Sequence, residues 1–250
     1  MKFSNNKWLA CFNDKPNANI NIICFPFGGA GASVYRPWDK ELPDNIRLWA
    51  VQLPGRENRF VEGFTRDHAV VVKGIVDDIV AMSLDNIVLF GHSMGSHIAL
   101  FVAEKLLNNH AVSPLLLAVS GNVPPNIKVK KPWSTSTNEQ LRAHLKELDG
   151  IPAEVADDHD FLEMYMDKIR ADYGLYEGIP IRGAFALPVP ILALYGVDDP
   201  LFPTENVRDW SQYSSLSVDV MEFKGAHFYF QQDCRGVVEA VCTRLFAENL

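Results

Sequence analysis

Short apolar runs alternate along this chain with longer stretches whose apolar positions recur every three or four residues, and the two periods predict strands and helices in turn. The runs at residues 20–25, 48–53, 86–90, 115–119 and 190–195 are mostly apolar, the pattern of buried strands, and residues 218–223 read as the last strand. Between them, Val70, Ile75, Val76 and Ile79 mark a helix over residues 66–82, and Ala99, Val102, Ala103 and Leu106 mark another beginning at residue 96. A last amphipathic helix is predicted over residues 235–248. Strand and helix in alternation predict a mostly parallel sheet covered on both sides. The rhythm breaks across residues 128–182, which are polar and punctuated yet hold two helical segments. One, over residues 138–148, follows a capping cluster of Ser and Thr; the other, over residues 160–173, carries Phe161, Met164, Tyr165 and Ile169 on one face. So long an excursion between sheet elements predicts an inserted helical lid at 128–182, within one domain spanning residues 1–250.

The ends of the predicted strands carry the chemistry. The strand at 20–25 runs into Phe25-Pro-Phe-Gly-Gly-Ala-Gly-Ala-Ser33, a loop lacking both the Gly-Lys-Ser/Thr of a P-loop and the spacing of a dinucleotide fingerprint. Its glycines suit close approach of main chain to a ligand instead, with the N–H of Phe27 as a donor. The strand at 86–90 enters Gly91-His-Ser-Met-Gly95 and then a helix, the arrangement of a nucleophile elbow. Gly91 and Gly95 permit a sharp turn with a strained residue between them, which leaves Ser93 Oγ exposed for attack. The free N–H of Met94 at the helix start suits a developing negative charge. Two further polar turns follow strands: Gly196-Val-Asp-Asp-Pro200, and Lys224-Gly-Ala-His-Phe228. In an open α/β sheet ligands bind at that edge, so an aspartate and His227 are brought toward Ser93. Serine, acid, histidine is the order of the α/β-hydrolase fold, with His227 taking the serine proton and the acid orienting the imidazole. On these grounds alone Asp198 and Asp199 remain equal candidates. His92 and His97 read as supporting or structural, and His68, His110, His144 and His159 show no partner pattern.

Composition narrows the setting. A formal net charge of −8 with no basic arm argues against nucleic acid or anionic membrane as partner. The first residues are too polar for a signal-peptide core and no apolar run approaches bilayer length, so a cytoplasmic location is expected. Cys11, Cys24, Cys234 and Cys242 show neither Cys-x-x-Cys pairing nor clustering with histidines, and are expected to be reduced thiols rather than metal ligands.

Taken together, the Phe25–Ser33 loop, Gln52-Leu-Pro-Gly-Arg-Glu57, the Ser93 elbow, Tyr195-Gly-Val-Asp-Asp-Pro200 and Gly225-Ala-His-Phe228 resemble the type II thioesterases that accompany nonribosomal peptide and polyketide synthases. The resemblance covers nearly the whole chain, and the Gln-Leu-Pro-Gly-Arg-Glu segment is its most specific part. It implies a Ser93–His227–Asp199 triad, with the family's Gly-x-x-Asp falling on Asp199, and oxyanion donors at the N–H groups of Phe27 and Met94. It implies hydrolysis of stalled or aberrant acyl thioesters from the phosphopantetheine arm of a carrier protein, by a monomer needing no metal or diffusible cofactor. Since such carriers are acidic like this chain, docking would use local basic spots, for which Lys128, Lys130, Lys131, Arg36 and Arg59 are candidates. The rival readings are an esterase or acyl-CoA thioesterase on small substrates, an acyltransferase using the same acyl-enzyme, and a non-catalytic binding protein on a hydrolase scaffold.

Overall fold

A computed structural model describes residues 7–13, 15–127, 132–148, 159–181, 183–201 and 204–247. Seven strands form one sheet: β1 (Leu9–Cys11), β2 (Ile20–Phe25), β3 (Ile46–Val51), β4 (Ile87–His92), β5 (Leu116–Ser120), β6 (Ile191–Gly196) and β7 (Val218–Phe223). Their order across the sheet is β1-β3-β2-β4-β5-β6-β7. Only β1 is antiparallel; the six predicted strands all run parallel. This is the expected mostly parallel sheet of the α/β-hydrolase architecture.

The apolarity of the central strands follows from their neighbours, whereas β7 at the sheet edge includes the exposed polar residues Asp219 and Glu222. Ile23, Phe25, Leu89, Leu117 and Val119 face one side, packing against α1 (His68–Ala81) and α2 (Met94–His110). Ile22, Cys24, Val88, Phe90 and Ala118 alternate to the other side, beneath a 3-10 helix at Ala32–Lys40 and the C-terminal helix. Helix α1 begins where Asp67 Oδ1 accepts the N–H groups of Ala69 and Val70, and buries Val71, Val72, Ile75, Val76 and Ile79. Val70, expected on that stripe, faces solvent.

In the long excursion, α3 (Asn138–Glu147) starts with a capping box between Thr137 and Gln140, and α4 spans His159–Glu177. Leu162, Tyr165, Met166 and Ile169 of α4 pack on Leu141 and Leu145 of α3, forming a small core of their own. Met164, expected on the inner face, is exposed, and the Phe161 side chain lies outside the described residues; the described apolar stripe is 162, 165, 166 and 169. The second half of α4 changes allegiance, because Leu175 and Ile179 just beyond it join the main core. The chain closes with α5 (Tyr229–Gln232) and α6 (Cys234–Ala247). No disulfide joins any of the four cysteines, all of which are among the described residues. Among the described residues no helix is long and apolar enough to cross a membrane.

The order of the strands fixes where a ligand would sit. The chain goes from β2 outward to β3, then returns to the other side of β2 with β4, so connections leave the carboxyl ends of β2 and β4 in opposite directions. The crevice at that reversal is bounded by the glycine loop after β2 and the Ser93 turn after β4.

Candidate active site

Ser93 has φ 53° and ψ −121°, a left-handed conformation that costs a non-glycine residue about 1–3 kcal/mol. Its own peptide groups hold it there. The Ser93 N–H donates to Ser120 O at 2.8 Å, and its carbonyl accepts Asn122 Nδ2 at 2.9 Å and Ser96 Oγ at 2.6 Å. A Cβ on Gly91 would lie 2.2 Å from Gly95 O, and one on Gly95 would lie 2.2 Å from Phe25 O. Both glycines are therefore required by close packing, and the second contact presses the elbow against the peptide groups leading to Phe27. Met94 is buried at the start of α2.

The turns after β6 and β7 are joined in the same way. Asp198 N–H donates to Gly225 O at 3.1 Å, and a Cβ on Gly196 would clash with that carbonyl. Across this junction His227 Nδ1 lies 2.7 Å from Asp199 Oδ2, with both side chains almost wholly buried. Asp199 Oδ1 also accepts Leu201 N–H at 3.0 Å, which fixes the carboxylate. Asp198 is exposed and is not the neighbour that meets the imidazole. With Nδ1 donating to the carboxylate, the lone pair stands on Nε2. His227 approaches the elbow through His92: the two rings are 4.9 Å apart, and His92 directly precedes Ser93. Phe27 packs on His92 and on Phe228, with centroids 5.9 Å and 4.8 Å away. The five residues singled out from the sequence thus gather at one edge of the sheet.

Two histidines support the site as neutral groups. His92 is fully buried, its Nδ1 2.9 Å from Ser120 Oγ, which in turn meets the Tyr229 hydroxyl at 2.5 Å. Burial, and secondarily the nearby His227, push its pKa well below the ordinary range. His97 donates Nε2–H to Val123 O at 2.7 Å and stacks on Tyr176, and burial lowers its pKa from 6.5 to about 4. A neutral His92 places no positive charge beside the His227 ring.

Three residues escaped sequence reasoning. Asn122, buried just beyond β5, holds the Ser93 carbonyl, caps Val123 N–H and accepts the Tyr176 hydroxyl at 3.2 Å. Its position past a strand end, at the edge where ligands bind, is the signal that could have found it. Arg56 and Asp172 form a buried pair, Nη1–Oδ2 and Nη2–Oδ1 both at 2.7 Å. Asp172 shares a helical face with Tyr165, Ile169 and Tyr176, and an acid on such an apolar stripe marks a buried partner. Of the proposed basic spots, Arg36 is exposed above the Phe12 ring, whereas Arg59 is buried, bound to Glu62 and to Gln52 O. Arg59 is therefore a framework residue. Lys128, Lys130 and Lys131 lie outside the described residues. No cluster of three His, Cys, Asp or Glu side chains suited to a metal occurs among the described residues.

Comparison with known proteins gives a consistent set of matches. The thioesterase domain family matches residues 20–248. The medium-chain S-acyl fatty acid synthase thioesterase of Rattus norvegicus is 31% identical over 91% of this chain and 88% of its own length. The gramicidin S biosynthesis protein GrsT of Aneurinibacillus migulanus is 27% identical over 96% of this chain and 94% of its own. Among solved structures, the type II thioesterase BorB from the borrelidin biosynthetic cluster superposes with a TM-score of 0.85 at 28% identity, covering 95% of this chain and 97% of BorB.

The buried histidines predict a pH dependence of stability. Each binds its proton less tightly folded than unfolded, so below pH 6.5 the unfolded chain holds more protons and stability falls as pH drops toward 4. His97→Asn is expected to flatten that loss by about one proton's share, ~1.4 kcal/mol per pH unit. Urea unfolding of both proteins from pH 7 downward measures it, and equal slopes would exclude His97 as a contributor.

Proposed function

Because the chain belongs to the thioesterase family, we propose that it is a cytoplasmic type II thioesterase, clearing stalled or aberrant acyl groups from the phosphopantetheine arm of a carrier protein. Relatives named for gramicidin S and borrelidin biosynthesis support a synthase setting. The observation that carries the chemistry is the 2.7 Å contact between Asp199 and His227, whose imidazole packs on the His92 ring, next in sequence to a serine in a left-handed turn. In this reading Ser93 Oγ attacks the thioester carbonyl while His227 Nε2 takes its proton. The N–H groups of Phe27 and Met94 stabilise the oxyanion. Collapse breaks the C–S bond, and the imidazolium proton goes to the departing thiolate. Water then attacks the acyl-enzyme, giving its proton to His227, and a second collapse releases the acid and returns the proton to Ser93. One chain carries every group these steps use, so the proposal is for a monomer needing no metal or diffusible cofactor.

Ser93→Ala is expected to lower kcat/KM by about 10,000-fold or more and to abolish labelling by a serine-directed phosphonate. Asp199→Asn should cost on the order of 100- to 10,000-fold, and Asp198→Asn less than about threefold. Intact protein that takes no label would favour a binding scaffold, and a larger loss in the Asp198 variant would reverse the acid assignment.

The carrier is tested separately. An acyl carrier protein is expected to give a kcat/KM at least about tenfold above the matching acyl-CoA, an extra ~1.4 kcal/mol of binding to the transition state. Equal values would favour the small-substrate esterase, and preferential transfer to an added alcohol or amine would favour an acyltransferase. The rat relative's name makes medium-chain acyl groups sensible first substrates.

Residues 128–182 are proposed as the lid over this site. Support comes from the separate small core of α3 and α4, and from Ile169 and Tyr165, which fill the space over Gly29. Ile169→Ala is expected to change kcat/KM several-fold for long acyl chains and less than about twofold for acetyl thioester. A uniform change across chain lengths would remove this contact from substrate selection.

A further inference from the structure

The glycine loop after β2 is held at Gly29, Ala30, Ala32 and Ser33 by side chains from outside the loop. Its first turn spans residues 27–30, with Ala30 N–H donating to Phe27 O at 3.1 Å and Gly29 at φ +87°, a value that suits the third position of a type II turn. Gln52 Oε1 accepts Ala32 N–H at 3.2 Å, and Glu57 Oε1 accepts Ser33 N–H at 3.1 Å and Ser33 Oγ–H at 2.7 Å. Arg56 Nη1 donates to Ala30 O at 2.9 Å. These three partners all belong to the Gln52-Leu-Pro-Gly-Arg-Glu57 segment, which thus works as a clamp on the loop. One tie has a different origin: Gly29 N–H donates to Asp172 Oδ2 at 2.7 Å, and Asp172 lies on α4.

We propose that Asp172, acting through this bond and its pairing with Arg56, is a positioning residue that sets the Phe27 N–H, making the seating of α4 a condition for turnover. The inference rests on the reading of Phe27 N–H as an oxyanion donor. Asp172 is 1% exposed and each of its oxygens accepts a hydrogen bond from Arg56, while Oδ2 also accepts from Gly29. A buried carboxylate so fully engaged has one geometry, and it passes that geometry on to both sides of the turn, to the Gly29 N–H directly and to the Ala30 carbonyl through Arg56. The Phe27 peptide lies at the start of the same turn. If α4 shifts, the carboxylate leaves Gly29, Arg56 loses its partner, and the turn loses two of its restraints together. Helix α4 is also bound to the elbow from its next turn, where the Tyr176 hydroxyl meets Asn122, the residue that holds the Ser93 carbonyl. One helix is thereby linked to both halves of the site.

The experiment measures kcat and KM with a soluble acyl thioester in Asp172→Asn and Arg56→Lys. It also measures affinity for a trifluoromethyl ketone that forms a tetrahedral adduct with Ser93, and for an unreactive thioether of the same shape. Thermal unfolding confirms that each variant is folded at the assay temperature. Loss of an oriented oxyanion donor is expected to lower kcat about 10- to 100-fold with KM within about threefold. Ketone affinity should fall by a similar factor, with thioether affinity unchanged. Folded variants with wild-type kcat, or with kcat, ketone and thioether affinities all changed alike, would overturn the proposal. If Asp172→Asn does not fold, Arg56→Lys decides by the same measurements. Ser93→Ala separates the two levels: full activity there removes the reading of the site itself, whereas inactive Ser93→Ala beside fully active Asp172→Asn removes only the clamp.

Discussion

The backbone at Ser93 is the constraint on which the rest of the site depends. A left-handed residue between a parallel strand and a helix persists only if its surroundings leave it no alternative. Here the surroundings are the carbonyl of Ser120, the side chains of Asn122 and Ser96, and two glycines in direct contact with neighbouring main chain. These ties involve β5, the loop beyond it, α2 and the end of β2. Each adjacent strand therefore contributes to the turn, and the parallel register of β2, β4 and β5 brings their ends to the same level. Strain of about 1–3 kcal/mol is affordable in a sheet whose two faces are filled by continuous apolar cores.

Electrostatics around the turn follow from what is buried and what is paired. His227 meets the only carboxylate it bonds among the described residues, and the ring beside it, His92, stays neutral. The Arg56–Asp172 pair compensates its own charge, so it can fix the main-chain groups of Gly29 and Ala30 without adding a net charge to the loop. Lys168, one turn before Asp172, sits over the Tyr165 ring, and burial, followed by repulsion from Arg56, lowers its pKa.

The five inner strands were legible because they are almost wholly buried and read as mostly apolar runs; the edge strand β7, half-exposed and carrying Asp219 and Glu222, was the weakest of the six predicted segments, all of which became parallel strands. β1 was not legible, since three residues in mixed surroundings carry too short a period to recognise. The Ser93 turn, Asp199 and His227 stood out because Gly-x-Ser-x-Gly and polar residues just past strands are local signals. The choice of Asp199 over Asp198 came only from family resemblance; the contact with His227 depends on how two loops meet, which one-dimensional pattern does not contain. Asn122, Arg56 and Asp172 were missed for a related reason. Their partners lie 29, 116 and 143 residues away, and Arg56 reads locally as part of a charged surface turn although it is buried.

The burial of Arg56 says what the Gln52–Glu57 segment is for. The resemblance to the family rests most on its residues, yet none of them occupies the strand-end positions of Ser93 and His227. Gln52, Arg56 and Glu57 spend their polar groups on the main chain of residues 30–33, and Arg56 on Asp172. A glycine-rich loop is free to come close to a ligand because it lacks side chains, and for the same reason it cannot hold itself in place. The chain resolves this by supplying side chains from the next strand's turn and from α4. The glycines make the approach possible, while fixed geometry comes from residues that stay behind the loop.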